Sequence, residues 1–378
     1  MQYIKRKYEQ NIIDTLNEGK IAILYGPRQV GKTTLAKNVA SKIDPDYRYF
    51  NCDEPDIAIS LGNTTSTELA HIVGASKIVV IDEAQRIDNI GITLKLLADN
   101  FENLKVIATG SSSFELADSI NEPLTGRAYY FNIWPMSISE LPGTELEKNR
   151  LLNNMLIYGQ YPEIALNTTT NKDRYLANLT NNYLYRDLLN IGVIRSEATL
   201  VSLLKLLALQ IGGIVSFNEL ANSLGLDVST VRRLIELLEK AYVIHTLLPL
   251  SNNDRKSISK QRKIYFVDLG VRNALLGSLM PIELRNDTGA LFENFCVNEL
   301  RKNNMLLAMP ANDYFWRNYI GAEVDYVQIK NGKINAYEFK WSAKKQAKIP
   351  KAFSDKYQVS EFSFLNSNNA INYFDNNK

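Results

Sequence analysis

The sequence predicts an α/β protein: a parallel sheet covered by helices at the amino end, followed by helical and mixed modules. The glycine-rich run Gly26-Pro27-Arg28-Gln29-Val30-Gly31-Lys32-Thr33 directly follows the apolar run Ile21–Tyr25. Up to about Leu141, short β-branched runs alternate with helical patterns, as in strands joined by crossover helices. With 378 residues the chain exceeds one ordinary core, so about two or three domains are expected.

An apolar content of 45% with 22% charged residues excludes a disordered or membrane-spanning chain and fits a globular one. A net charge of +2 gives no global field toward nucleic acid, so such contacts must come from local patches. Cys52 and Cys296 lie far apart, without metal or redox spacing, and His71 and His245 are equally isolated. A histidine metal site and a Ser-His triad are therefore not expected. The residues Met1–Glu9 hold no apolar secretory core, and no segment reaches the length of a membrane span. A cytoplasmic protein without membrane contact is expected.

Strands are predicted at Ile21–Tyr25, Tyr47–Asn51, Lys77–Ile81, Lys105–Thr109 and Ala128–Ile133. The first delivers the chain to Gly26–Thr33, a complete Walker A loop. Its glycines let successive N–H groups close around phosphate oxygens, and the helix opening there, at Lys32-Thr33-Thr34, points its positive end at the same anion. Lys32 is expected on the β- and γ-phosphates, and Thr33 on Mg²⁺. The third strand runs into Asp82-Glu83, a Walker B pair: Asp82 for Mg²⁺, Glu83 as the base that orients attacking water. The fourth ends at Thr109-Gly110-Ser111-Ser112-Ser113. There Ser111 or Ser112 either senses the γ-phosphate or caps the next helix. Arg127, before the fifth strand, either offsets charge on the transferred phosphoryl group, in its own subunit or across a homo-oligomer, or is a surface arginine. The bend Gly159-Gln160-Tyr161-Pro162 is a helix junction that can also pack Pro162 against the nucleotide.

Beyond a helical block at about Leu151–Gly192, the segment Glu197–Asp268 has the cadence of a winged helix: helices at Thr199–Gln210 and Phe217–Leu224, a turn at Gly225, and a third helix with Val231, Leu234, Ile235 and Leu238 on one face. Strands at Tyr242–Leu248 and Lys263–Val267 follow, joined by a loop carrying Arg255, Lys256, Lys260 and Arg262. The third helix presents Ser229, Thr230, Arg232 and Arg233, either to a DNA groove or to a packing partner. The last block reads α-β-β-β-α-β: a helix at Gly289–Lys302, strands at Tyr314–Arg317, Glu323–Ile329 and Lys333–Lys340, a basic helix near Ala343–Lys356 and a strand at Phe362–Leu365.

On Lys333–Lys340, Glu338 and Lys340 share one face. A hairpin can bring Asp325 to them, and two carboxylates at one point repel unless a cation joins them; Mg²⁺ or Mn²⁺ suits such oxygens. Lys340 would then orient water or stabilise a pentacovalent phosphate, and Glu293 could add a ligand. This constellation suggests a nuclease-type site.

Together these residues resemble a large family of bacterial and archaeal predicted ATPases. Its members join an AAA+/STAND-like nucleotide-binding domain to a winged helix and a carboxyl-terminal restriction-endonuclease-like domain. Gly26–Thr33, Ile81–Gln85, Thr109–Ser112, Thr125–Arg127 and Gly159–Pro162 resemble its ATPase signatures. Tyr265–Gly270, Leu291–Asn294, Glu323–Asp325 and Glu338–Lys340 resemble its carboxyl-terminal ones. The resemblance implies a PD-(D/E)xK motif at Asp325, Glu338 and Lys340, with Val324 in place of the idealised proline, and a serine where the AAA+ sensor is usually asparagine. The implied architecture is an ATPase core over 1–141, a helical lid over 142–196, a winged helix over 197–286 and a nuclease-like domain over 287–378. The expected function is Mg-ATP hydrolysis coupled to binding or cleaving nucleic acid. The alternative is an ATP/ADP-controlled switch or scaffold that holds a partner without cutting it. A small-molecule kinase would leave the later modules unexplained.

Overall fold

The computed structural model describes residues 3–110, 124–180, 196–251, 262–306, 311–344 and 347–376. They form two compact units: 1–134 with 240–242, and 135–239 with 243–378.

The first unit is a parallel sheet of β1 (Ile21–Tyr25), β2 (Arg48–Asn51), β3 (Ile78–Asp82), β4 (Lys105–Gly110) and β5 (Ala128–Asn132), in the order β2-β3-β4-β1-β5. All residues of β1 and β3 are buried, as their unbroken apolar runs require when both faces of a sheet are covered. The described helices are α1 (Tyr8–Asn17), α2 (Lys32–Ile43), α3 (Pro55–Leu61), α4 (Ser66–Val73) and α5 (Ile90–Asn100). Helix α1 buries Tyr8, Ile12 and Leu16, one residue per turn. Helix α4 starts at a capping box in which Thr65 and Glu68 satisfy each other's backbone N–H groups. Strand β4 separates the strand of the phosphate loop from the strand of the acidic pair.

The second unit holds α6 (Glu145–Tyr158), α7 (Pro162–Ala165), α8 (Lys172–Asn178), α9 (Glu197–Leu209), α10 (Phe217–Leu224) and α11 (Val228–Lys240), whose last residue belongs to the first unit. Further on come α12 (Leu269–Leu275), α13 (Thr288–Leu306), α14 (Lys351–Ser354) and α15 (Ala370–Asn376). One mixed sheet runs through it in the order β12-β11-β10-β9-β7-β8-β6. Its strands are β6 (Ile214–Val215), β7 (Ile244–Pro249), β8 (Arg262–Phe266), β9 (Asn312–Arg317), β10 (Glu323–Lys330), β11 (Lys333–Lys340) and β12 (Val359–Asn366). The strands before and after residue 287 meet where β7 pairs in parallel with β9, Leu248 opposite Tyr314 and Pro249 opposite Phe315.

The predicted strands lie within a few residues of the observed ones. The basic helix expected near Ala343–Lys356 is a correction: only Lys351–Ser354 is helical among its described residues. Pro350 has no N–H to donate and disfavours helix in the residue before it, and Phe353 alone anchors the short turn in the core. Helix α15, which the sequence reading did not assign, buries Ala370, Ile371 and Phe374.

Candidate nucleotide site and carboxylate cluster

The Walker A loop is shaped by two glycines with different duties. Gly26 has φ 149°, and a Cβ there would lie 2.0 Å from the Ile133 carbonyl oxygen, so the close approach of two backbones excludes any side chain. Gly31 has φ 89° and open space around it; it supplies only the left-handed turn into α2. Helix α2 begins without a side-chain cap, which leaves its first N–H groups for an anion. Lys32, buried, donates to the Gly26 and Pro27 carbonyls at 2.8 Å each. Arg28, Gln29 and Val30 continue the loop, Gln29 with φ 62°. Arg6 clamps the loop, donating to Val30 O and Trp134 O at 2.9 Å each. Beside Thr33 and Thr34 opens a groove of about 370 Å³, also lined by Lys37, Asn38, Ser41 and Tyr47.

Three hydroxyls converge on Asp82. Thr33 Oγ1 lies 2.9 and 3.0 Å from its two oxygens, Tyr49 Oη 2.7 Å from Oδ2 and Thr109 Oγ1 2.5 Å from Oδ1. Thr109 also accepts from the Glu83 N–H at 3.1 Å, and so ties both carboxylate residues to β4. Glu83 has φ 54°, a left-handed conformation rare outside glycine, and Gln85 donates to its carboxylate at 2.5 Å. Burial, then the neighbouring Asp82, drives the Tyr49 hydroxyl well above its ordinary value, so it remains a donor. A hydroxyl beside a carboxylate at the mouth of a phosphate loop is the donor set that magnesium takes in such sites, and Thr33 with Asp82 fits it. The sequence reading named Thr33 and Asp82 but gave no role to Tyr49 or Thr109. Thr109 ends an apolar strand beside the acidic pair, a readable signal; Tyr49 gave none.

Ser111 and Ser112 lie outside the described residues. Arg127 precedes β5, whose first residue pairs with Ile21, the first of β1, whereas the phosphate loop leaves β1 after Tyr25. The separation along the strand is roughly 13 Å at about 3.3 Å per residue. Arg127 also makes a bidentate ion pair with Asp99, at 2.6 and 3.0 Å. Arg127 thus stands at the opposite end of β1 from the phosphate loop, paired with Asp99. Pro162 opens α7 in the second unit. The bend before it is anchored there: Gln160 N donates to Asp268 at 2.7 Å, and the Gln160 side chain meets Glu299 and Lys302 at 2.9 and 2.8 Å.

In the second unit, β10 and β11 pair with Tyr326 opposite Tyr337; Asp325 and Glu338 stand one residue further along. A bulge against β9 falls between Val324 and Val327, beside Asp325. Lys340 bridges the two carboxylates, 2.5 Å from Glu338 and 3.4 Å from Asp325, and the Phe339 N–H donates to Asp325 at 2.9 Å. Glu293, on α13, joins them with two unforeseen partners: Lys263 Nζ and Tyr265 Oη lie 2.8 and 2.7 Å from its Oε1. Lys263 also lies 2.5 Å from Glu323 and 4.0 Å from Asp325. Burial raises Glu293 to about 7 against the opposing pull of Lys263, and Asp325 adds to the rise. Burial and Asp325 likewise raise Glu338. Lys263 stays charged: burial works against it, but Glu293, Asp325 and Glu323 outweigh burial. Asp325 and Glu338 are thus bridged by Lys340, and Lys263 holds Glu293 and Glu323 beside them, so ammonium groups rather than an open set of oxygens stand where Mg²⁺ or Mn²⁺ was expected. Among the described residues, no set of three or more His, Cys, Asp or Glu side chains is arranged to hold a metal. Alternation on β10 signalled Glu323; Lys263, three strands away from β10, gave no local signal.

On α11, Ser229, Arg232 and Arg233 are exposed and Thr230 is half-buried. Arg232 and Arg262 both stack over Phe217, at 5.7 and 4.3 Å from its ring centre. Arg255, Lys256 and Lys260 lie outside the described residues. Among the described residues no helix is long and apolar enough to cross a membrane.

A family model described as an AAA domain matches residues 18–142. Two models described as domains of unknown function match residues 149–280 and 288–377. The chain is 29% identical over 329 residues to the uncharacterized protein Rv2008c of Mycobacterium tuberculosis, covering 86% of this chain and 71% of that one. It is 27% identical over 314 residues to the uncharacterized protein MJ1637 of Methanocaldococcus jannaschii, covering 72% and 65%. Among solved structures, a Walker-type ATPase of Pyrococcus abyssi aligns with TM-score 0.49 at 18% identity, covering 72% of this chain and 96% of that one. The Aeropyrum pernix Orc1 protein, solved in complex with DNA, aligns with TM-score 0.34 at 15% identity, covering 73% and 93%. With its family match and its parallel sheet leading into a Walker A loop, the region 18–142 is an AAA-type P-loop ATPase domain.

Proposed function

We propose that the chain is an Mg-ATP-hydrolysing switch whose second unit holds nucleic acid. The supporting observation for hydrolysis is the convergence of Thr33, Tyr49 and Thr109 on Asp82, next to a Glu83 held by Gln85. Gly26–Thr33 would cradle the phosphates, and Lys32 would exchange its contacts with the loop carbonyls for phosphate oxygens. Thr33 and Asp82 would hold magnesium, which when bound offsets charge on the β- and γ-phosphates. Glu83 would orient the attacking water. Lys32→Ala should abolish ATP binding or turnover, and Glu83→Gln should keep binding while losing turnover. Wild-type rates in Lys32→Ala would refute the assignment.

The second unit reads as a winged helix, with α11 as its groove-facing element, followed by a restriction-endonuclease-like fold carrying Asp325, Glu338 and Lys340. One observation favours holding a partner over cutting it: Lys263 sits on Glu293 and Glu323 beside Asp325, and Lys340 bridges Asp325 and Glu338. On this reading DNA affinity differs between ATP- and ADP-loaded protein, since a nucleotide biases only states that it binds unequally. Metal-dependent cleavage of DNA or RNA that disappears in Asp325→Ala would establish cutting instead.

A further inference from the structure

We infer that Lys263 is the resident cation of the carboxylate cluster, so that this site works without a divalent metal. The inference deepens the proposed function and rests on its choice of Asp325, Glu338 and Lys340 as the second unit's functional site.

The geometry is that of a built counter-ion. The Lys263 side chain is 3% exposed, and its ammonium lies 2.8 Å from Glu293, 2.5 Å from Glu323 and 4.0 Å from Asp325. These carboxylates arrive from two separate elements, α13 and β10, and Lys263 from a third, β8. An ammonium has three donors and no acceptor, so a cage of oxygens suits it. Further donors stand on the same carboxylates. Tyr265 donates to the Glu293 oxygen that Lys263 holds. Lys340 and the Phe339 N–H hold the second Asp325 oxygen, Lys340 also holds Glu338, and Arg317 lies 3.8 Å from Glu323. Four carboxylates thus face three cations, a balance close to neutral without metal. A divalent ion entering among Glu293, Glu323 and Asp325 would meet a buried positive charge at contact distance. It would have to expel Lys263 and strip its ion pairs, and removing one partner of a buried pair is strongly unfavourable. What the cluster offers outward is Lys340, whose side chain is 37% exposed.

The test is Mn²⁺ binding to the nucleotide-free, full-length chain, followed by electron paramagnetic resonance and by thermal melting. Wild type, Asp325→Asn, Lys263→Met and Lys263→Met with Asp325→Asn are compared. Wild type should bind no Mn²⁺ that depends on Asp325. Lys263→Met should gain one such ion and melt at higher temperature when Mn²⁺ is present, and the double variant should lose both effects. Asp325-dependent Mn²⁺ in wild type would overturn the inference, as would a folded Lys263→Met that gains none. If Lys263→Met stays unfolded with and without Mn²⁺, wild type against Asp325→Asn decides alone. DNA affinity of the same wild-type and Asp325→Asn samples reports separately on the second unit's site, so failure of the nucleic-acid reading is distinguishable from failure of this one.

Discussion

Strand β3 holds the Asp82 backbone, but its carboxylate is oriented by neighbouring side chains. Thr109 and Tyr49 hold opposite oxygens, and Thr109 fixes the next residue as well. Removing either hydroxyl should lower ATP turnover by about ten-fold or more, as for other groups that orient metal-binding side chains. Thr109→Val and Tyr49→Phe, assayed across a magnesium titration, check this; unchanged rates and magnesium dependence would refute it. Glu293 gives a second prediction, with a definite sign. Its carboxyl is raised to about 7, so the folded chain retains a proton that the unfolded chain releases in the ordinary carboxylate range. That contribution to stability is present below the ordinary range and is lost as pH rises to about 7. Glu293→Gln should therefore gain stability relative to wild type between about pH 5 and about pH 8, read from urea midpoints; an equal difference at both would refute it. At this scale the sequence was legible where spacing is local. Lys32 and Thr33 sit in fixed register with the end of β1, and Asp82 and Glu83 with the end of β3, whereas Lys263 and Tyr49 reach their partners across strands that no local pattern orders.

Elements were legible where burial is uniform or alternates strictly. Strands β1 and β3 announced themselves as apolar runs, and β11 matches its predicted bounds. The failure at Ala343–Lys356 has the opposite cause: lysines gave a helix-like charge pattern, but Pro350 and a single buried Phe353 support only one turn. The junction between α6 and α7 shows how a bend is made obligatory. Gly159 has φ 79°, and a Cβ there would lie 2.0 Å from the Asp268 carboxylate, which receives the Gln160 N–H and the Val271 N–H. Gly159→Ala should cost about 2–4 kcal/mol through strain and a displaced buried carboxylate. Chemical denaturation of the full chain measures it, and a loss within error would show that Asp268 moves aside freely.

For the whole molecule, the parallel order of the first sheet decides where Arg127 can act. It stands at the start of β5, at the end of the sheet opposite the phosphate loop, and we propose that Arg127 acts on a neighbouring subunit's nucleotide. On that reading Arg127→Ala and Lys32→Ala are each inactive alone, and mixing them restores turnover, because one supplies the loop and the other the arginine. No recovery on mixing, or a fully active Arg127→Ala, would leave Arg127 as the ion-pair partner of Asp99. The second unit has a consequence of its own. Strand β7 lies against β9 as a sheet partner, so a recombinant fragment started at Asp287 would strip one side of Tyr314 and Phe315. The exposed row of backbone donors and acceptors would invite edge-to-edge self-association. Such a fragment should precipitate or oligomerise, whereas one begun at Pro135 retains every strand of that sheet.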